Sequence, residues 1–203
     1  MLYMPSEVTG PALSMPAARH PLQPEHTALV VIDIQEKLLP PIWQRERLLR
    51  NTRLLLRLAG VLSLPVIATT QNLRGLGPIV SDVAMLLPAG TVPLDKVEFS
   101  CFGSQQFADA LRGLPGRREL LLFGMEAHIC VLQTALDALG RGYLVQIAAD
   151  AVSSRAELNW RLGLDRMRDA GAVISSTEMT IYELLRASAT PAFKQMLPFL
   201  KEP

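Results

Sequence analysis

Leu120-Leu-Leu-Phe123 is a continuous apolar run of four residues, bounded by Glu119 and by Gly124. That length suits a strand buried on both faces, not an amphipathic helix. Gly124 permits a sharp change of backbone direction. After it the spacing turns helical, with Val131, Ala135, Ala138 and Leu139 on one face and Gly140 as the stop. A strand buried on both faces and running directly into a helix is half of a βαβ unit, which needs further strands beside it and helices on both sides. The same stretch places Cys130 in the first turn of the helix, where unpaired N–H groups and the helix dipole favour a thiolate. Two readings stay open for that position: a small core residue, as most free cysteines are, or a nucleophile exposed at a strand-to-helix turn.

The rest of the chain repeats the pattern. Apolar runs at Thr27–Ile34, Leu64–Thr70, Thr91–Asp95, Tyr143–Asp150 and Gly171–Ile174 predict five more strands. Between them, Arg45–Ala59 is a clear amphipathic helix with Leu48, Leu49, Thr52, Leu55 and Leu56 inward, and Gly60 is its expected end. Ser104–Leu111, Ala156–Ala170, Thr177–Ala187 and Ala192–Leu200 also read as helices, with Ser104 a plausible cap. Strands alternating with helices predict an α/β three-layer αβα sandwich around a six-stranded, mainly parallel, doubly wound sheet. Residues 1–26 carry five prolines and read as an extended arm whose apolar Leu2, Tyr3, Met4, Leu13 and Met15 suit a neighbouring surface. Residues 27–203 form one domain.

Composition removes several classes of function. The 203 residues carry a net charge of +1, which gives no basic field for nucleic acid. No apolar run approaches the length of a membrane span, and the start of the chain lacks a signal-peptide pattern. With only two cysteines, 101 and 130, a disulfide framework is not expected and a reducing, cytoplasmic setting is. The Gln71–Pro78 loop has two glycines but neither a phosphate-loop lysine nor a dinucleotide pattern, so no nucleotide cofactor is expected.

In doubly wound sheets ligands bind beyond the carboxyl ends of the strands, where strand order reverses. Asp33, Lys96 and Cys130 each fall just past a different predicted strand. Asp33 alone reads equally as a helix cap or as a buried acid with a task. Together the three explain one another. An ammonium lowers a thiol's pKa, a carboxylate accepts the thiol proton and returns it to a leaving amine, and the ammonium compensates the buried acid. Backbone N–H groups of the 125–130 turn are placed to bind an oxyanion.

Val-Ile-Asp33-Ile-Gln35, the Lys96 loop and Gly124-Met-Glu-Ala-His-Ile-Cys130-Val resemble the isochorismatase-like cysteine hydrolase superfamily. The likeness spans roughly residues 27–187, and with Gly75-Leu-Gly-Pro78 it is nearest the isochorismatase-domain-containing branch. It implies an Asp-Lys-Cys triad at Asp33, Lys96 and Cys130. It also implies a cis peptide in the nucleophile turn at Met125–Glu126, and a homo-oligomer. Nicotinamidases of the superfamily carry an Asp/His metal cluster after the second strand, whereas Thr69-Thr-Gln71-Asn-Leu has no histidine, so no metal is expected. True isochorismatases lack the cysteine; its presence points to hydrolysis of a small amide, carbamoyl or related acyl compound through a thioester. By position, Gln35, Gln71, Phe102, Trp43 and His128 are candidates to line a substrate pocket, with His128 more a packing or wall residue than a partner of Cys130. Two other readings remain at this stage. One is a non-catalytic scaffold of the same fold, which has no reason to hold Cys130 ionised. The other is a redox-sensing thiol, for which Cys101 is the only resolving partner.

Overall fold

A computed structural model describes residues 20–201. The expected apolar side chains of the arm, from Leu2 to Met15, lie outside the described residues. Its last part does not: Leu22 is buried, Gln23 N donates to Glu119 Oε2 (2.7 Å), and Arg117 bonds the carbonyls of Pro24 and Thr27.

In chain order the elements are β1 (Thr27–Ile32), α1 (Arg45–Leu62), β2 (Val66–Gln71), the one-turn helices α2 (Leu73–Leu76) and α3 (Ser81–Ala84), and β3 (Leu94–Lys96). Then come α4 (Gln105–Arg112), β4 (Glu119–Met125), α5 (Leu132–Gly140), β5 (Leu144–Ser153), α6 (Glu157–Asp169), β6 (Val173–Ser175), α7 (Thr177–Leu185) and α8 (Pro191–Leu200). The six strands form one parallel sheet in the order β3-β2-β1-β4-β5-β6. The chain winds outward from β1 to β3, then restarts on the other side of β1 with β4. The switch point therefore lies between β1 and β4, the two most buried strands.

Every residue of β1 and β4 is buried, as expected for strands covered by helices on both faces. Leu29, Ile32, Leu120, Leu121, Leu122 and Phe123 fill the middle of the molecule, and Leu48, Leu55, Leu56 and Leu58 of α1 pack onto them. Gly60 does not stop α1. The helix runs to Leu62 and ends where Ser63 turns left-handed (φ 52°), its N–H reaching the Ala59 and Gly60 carbonyls. Nor does Asp33 cap a helix, because α1 begins only at Arg45. Ser104 makes no side-chain cap; the cap in this region is Ser100, whose Oγ accepts from Phe102 N. β5 continues past Asp150 to Ser153 after an irregularity in its register with β4, and Asp150 Oδ1 accepts from Thr177 N and Oγ1 at the start of α7. That acid ties the end of the sheet to the start of α7.

Two glycines fix how the elements meet at the switch point. Gly124 (φ 126°) lies against Ile32 so closely that a Cβ would stand 2.1 Å from the Ile32 carbonyl oxygen. Only glycine fits both the angle and the contact. Gly163 lets α6 approach the turn after β4, where a Cβ would lie 2.9 Å from the Ala127 carbonyl oxygen.

Candidate active site

β1 ends and the chain turns at once at Asp33, which adopts a left-handed conformation (φ 54°) that aspartate tolerates better than most residues. The turn is held by Asp33 N donating to the Thr69 carbonyl (3.2 Å) and Gln35 N donating to the Asp33 carbonyl (2.8 Å). It leaves the Asp33 carboxylate wholly out of solvent, between β1 and β2. Thr69 Oγ1 donates to its Oδ1 (2.7 Å) and Lys96 Nζ to its Oδ2 (2.7 Å). Lys96, the last residue of the short edge strand β3, reaches inward, and neither side chain of the pair is exposed. A buried carboxylate and a buried ammonium are tolerable only as such a pair.

Gln71 ends β2 beside them. Its Oε1 accepts from Lys96 Nζ (2.7 Å) and lies 3.9 Å from Cys130 Sγ, while its Nε2 donates to the Val97 carbonyl (2.7 Å). Gln35 clips the backbone of the same residue. Gln35 Oε1 accepts from Gln71 N (2.7 Å), and its Nε2 donates to the carbonyls of Gln71 (3.1 Å) and Gly77 (2.6 Å). Gln35 is fully buried with both ends of its amide occupied, so its expected place among the substrate contacts is not one this geometry offers. The sequence shows a glutamine two residues past Asp33, but not that it is spent on the neighbouring strand.

Cys130 arrives from β4. The Met125–Glu126 peptide is cis, at the position the sequence resemblance implied. The chain then makes a five-residue π-turn, Ala127–Val131, before α5, so Cys130 precedes the regular helix. Ile129 N (3.0 Å) and Val131 N (3.3 Å) both donate to the Glu126 carbonyl, and the Glu126 side chain faces away, onto Arg155 N (3.0 Å) and Nε (3.1 Å). His128 Nδ1 meets Ser154 Oγ (2.9 Å), which ties the ring to the residue just past β5. Trp43 stacks near Trp160 with the Arg47 guanidinium over both rings. Phe102 packs on Phe107 and Tyr143 at the margin of the core, with the Arg141 guanidinium over its ring.

The electrostatics depart from the expectation of a thiolate. Burial pushes the Cys130 thiol well up, and the nearby Asp33 carboxylate adds to this; Lys96 pulls the other way and is outweighed. For Lys96, burial lowers the pKa, but the Asp33 charge and the two neighbouring thiols raise it, and the balance is upward. Cys101 is sealed from solvent, with its N bonded to Thr134 Oγ1, and burial pushes its thiol up to about 11. The resting site is therefore a neutral thiol beside an ammonium–carboxylate pair. Among the described residues no group of three or more His, Cys, Asp or Glu side chains is placed to hold a metal ion. A separate cavity of about 270 Å³ lies at the opposite edge of the sheet, where β4, β5 and β6 begin, lined by Leu22, Glu119, Tyr143 and Val145.

A family model described as the isochorismatase domain matches residues 27–179, most of the described chain. The chain belongs to the isochorismatase family. Among relatives within it, the secreted isochorismatase effector Isc1 of Phytophthora sojae is 36% identical over 183 residues, covering 89% of this chain and 87% of its own. Isochorismatase domain-containing protein 2 of Rattus norvegicus is 35% identical over 180 residues, covering 89% and 83%. The solved structure of the MAR1 ribonuclease from Caenorhabditis elegans superposes with a TM-score of 0.84 at 35% identity, covering 90% of this chain and 93% of that one. The fold is shared as well with Escherichia coli YcaC, an octameric hydrolase of unknown specificity (TM-score 0.81, 24% identity, 88% and 91% covered). The chain thus has the family's hydrolase fold. Among the described residues no helix is long and apolar enough to cross a membrane.

Proposed function

We propose that this isochorismatase-family protein is a cysteine hydrolase that cleaves a small amide, carbamoyl or related acyl compound through a thioester on Cys130. The observation that carries the reading is the convergence at the switch point of a thiol, a buried carboxylate and a buried ammonium from three different strand ends. The thiol is protonated at rest, so attack needs a base in place, and Asp33 is the group its proton can reach. As the sulfur bonds to the carbonyl carbon, the S–H proton passes to Asp33 and the carbonyl oxygen becomes an oxyanion for the N–H groups of the 125–130 turn other than that of Ile129, which the Glu126 carbonyl holds. The C–N bond then breaks, and Asp33 hands the proton to the departing nitrogen, which leaves as ammonia or an amine. Water attacks the thioester, loses a proton to Asp33, and releases the acid and the thiol. Lys96 stays charged throughout and remains paired with Asp33 in a dry site.

The thioester route requires neither metal nor organic cofactor. A net charge of +1 and a fully buried Asp33–Lys96 pair favour a small substrate over a polynucleotide, although one solved relative is a ribonuclease. A redox-sensing role is less favoured, because neither thiol is held ionised and Cys101 is enclosed. Assembly into a homo-oligomer belongs to the same reading: Val92, Val97 and Phe99 expose apolar surface around β3, and sedimentation as a monomer at assay concentration would rule it out. The deciding experiment is a screen of small amides, carbamoyl compounds and a control RNA against the native chain and Cys130→Ala. Ammonia or amine release by the native chain alone supports the reading; equal release by both, or RNA cleavage that survives the substitution, refutes it.

A further inference from the structure

We propose that Gln71 is a positioning residue, holding the Lys96 ammonium on Asp33 and away from the Cys130 sulfur. The inference rests on the catalytic reading above but extends it to a side chain that the triad does not include.

The Gln71 amide can face only one way. Gln71 Nε2 donates to the Val97 carbonyl at 2.7 Å, a bond that only the nitrogen end can make. Oε1 must then point at Lys96 Nζ (2.7 Å), with Cys130 Sγ 3.9 Å away. The backbone beneath is fixed as firmly, because the Gln35 side chain pairs with both the N–H and the carbonyl of Gln71, as a neighbouring strand would. Asn72 N also donates to the Lys96 carbonyl (2.8 Å), which ties the two strand ends together. With Asp33 Oδ2 and Gln71 Oε1 accepting from it, the ammonium has two of its three N–H bonds taken by oxygen acceptors instead of the sulfur. A neutral oxygen touching the thiol favours S–H over S⁻. Gln71 thereby keeps the proton on sulfur until a substrate carbonyl arrives, and keeps the ammonium seated on Asp33.

From the elements packed around Cys130, the titratable groups facing it are Asp33 after β1, Lys96 at the end of β3 and Cys101 just beyond it. Within its own turn, Glu126 is turned to Arg155 and His128 to Ser154. Substitutions at Gln71 therefore read out through Lys96 and Asp33.

The test is the pH dependence of Cys130 alkylation by iodoacetamide in the substrate-free protein, followed by peptide mass, for the native chain, Gln71→Met and Gln71→Glu. Methionine keeps the length and removes the acceptor, freeing the ammonium to pair with sulfur, and the alkylation midpoint moves toward acid by about one pH unit. Glutamate keeps an acceptor for Lys96 and adds a negative charge beside the sulfur, and the midpoint moves toward alkali. With a substrate in hand, kcat of Gln71→Met falls about 10–100-fold with KM little changed. Midpoints that do not move, or that move in the same direction, overturn the proposal, since loosened packing alone has no reason to give opposite signs. Should Gln71→Met not fold, the sign for Gln71→Glu decides by itself. Alkylation needs no turnover, so this result stands apart from the Cys130→Ala experiment, whose failure would remove the hydrolytic reading and leave the Gln71 geometry to be judged on thiol titration.

Discussion

Replacing Asp33 by asparagine tests the buried pair at the centre of the site. Asparagine keeps the size and an acceptor for Thr69 Oγ1, but leaves the Lys96 ammonium, which has no exposed side-chain surface, without its counter-charge. The substitution is best made in a Cys130→Ala background, so that no thiolate can replace the carboxylate. Removing one partner of a buried pair costs about 3–5 kcal/mol. A second route sets a similar ceiling: if Lys96 instead gives up its proton at pH 7, the cost is about 1.4 kcal/mol for each pH unit below its unfolded value near 10.4, or about 4.6 kcal/mol. The sign of the pH dependence follows. In the native chain the Lys96 pKa is raised, so its contribution is complete below about 10.4 and lost as pH rises beyond that. In the variant the folded state holds the proton less well than the unfolded chain, so its stability improves as pH climbs from 7 toward 10. Urea unfolding at pH 7 is expected to show a loss of about 3–4 kcal/mol, a midpoint shift of about 2 M for a slope near 2 kcal/mol/M, and the gap between the two proteins is expected to narrow by pH 9.5. A loss below about 1 kcal/mol that is unchanged at pH 9.5 would refute the claim that the pair is a compensated buried charge.

Other outcomes follow from the same geometry. Because burial and Asp33 hold the Cys130 thiol protonated, its alkylation is expected to be slow at pH 7 and to accelerate toward pH 9, always ahead of the sealed Cys101; peptide mass mapping that finds Cys101 modified first would contradict this. Gly124→Ala places a Cβ 2.1 Å from the Ile32 carbonyl oxygen at a φ that alanine avoids, and is expected to cost more than about 3 kcal/mol or to prevent folding, measured by urea unfolding and soluble yield. Gly163→Ala pushes α6 against Ala127 and His128; it is expected to lower kcat about 10–100-fold through displacement of the nucleophile turn, with a stability loss of about 1–3 kcal/mol.

What the sequence made legible follows from how local each signal is. The run Leu120–Phe123 and the amphipathic pattern of Arg45–Ala59 determine their own structure, and both elements are where the spacing puts them. The ends are less local: Gly60 lies inside α1, which runs to Leu62, and Ser63 in the left-handed conformation makes the stop instead. Asp33, Lys96 and Cys130 could be picked out because strand ends in a doubly wound sheet share one edge, a topological rule that needs no coordinates. The roles of Gln35 and Gln71 could not, since they depend on which end of an amide faces which strand. The direction of the thiol's pKa was also beyond reach: a helix start and a nearby lysine argue for a thiolate, and only depth of burial and the position of Asp33 reverse the sign. Phe102 shows the opposite limit, for its place in the chain near Lys96 does not reveal a ring turned toward Phe107 and Tyr143.

The most direct test of the central claim is intact-protein mass spectrometry on the native chain, acid-quenched during turnover of an amide found by screening. The account predicts a mass increase equal to the substrate's acyl group, mapped to Cys130 and absent from Cys130→Ala. Steady turnover with no adduct on Cys130 at any quench time, together with undiminished activity in Cys130→Ala, would contradict it.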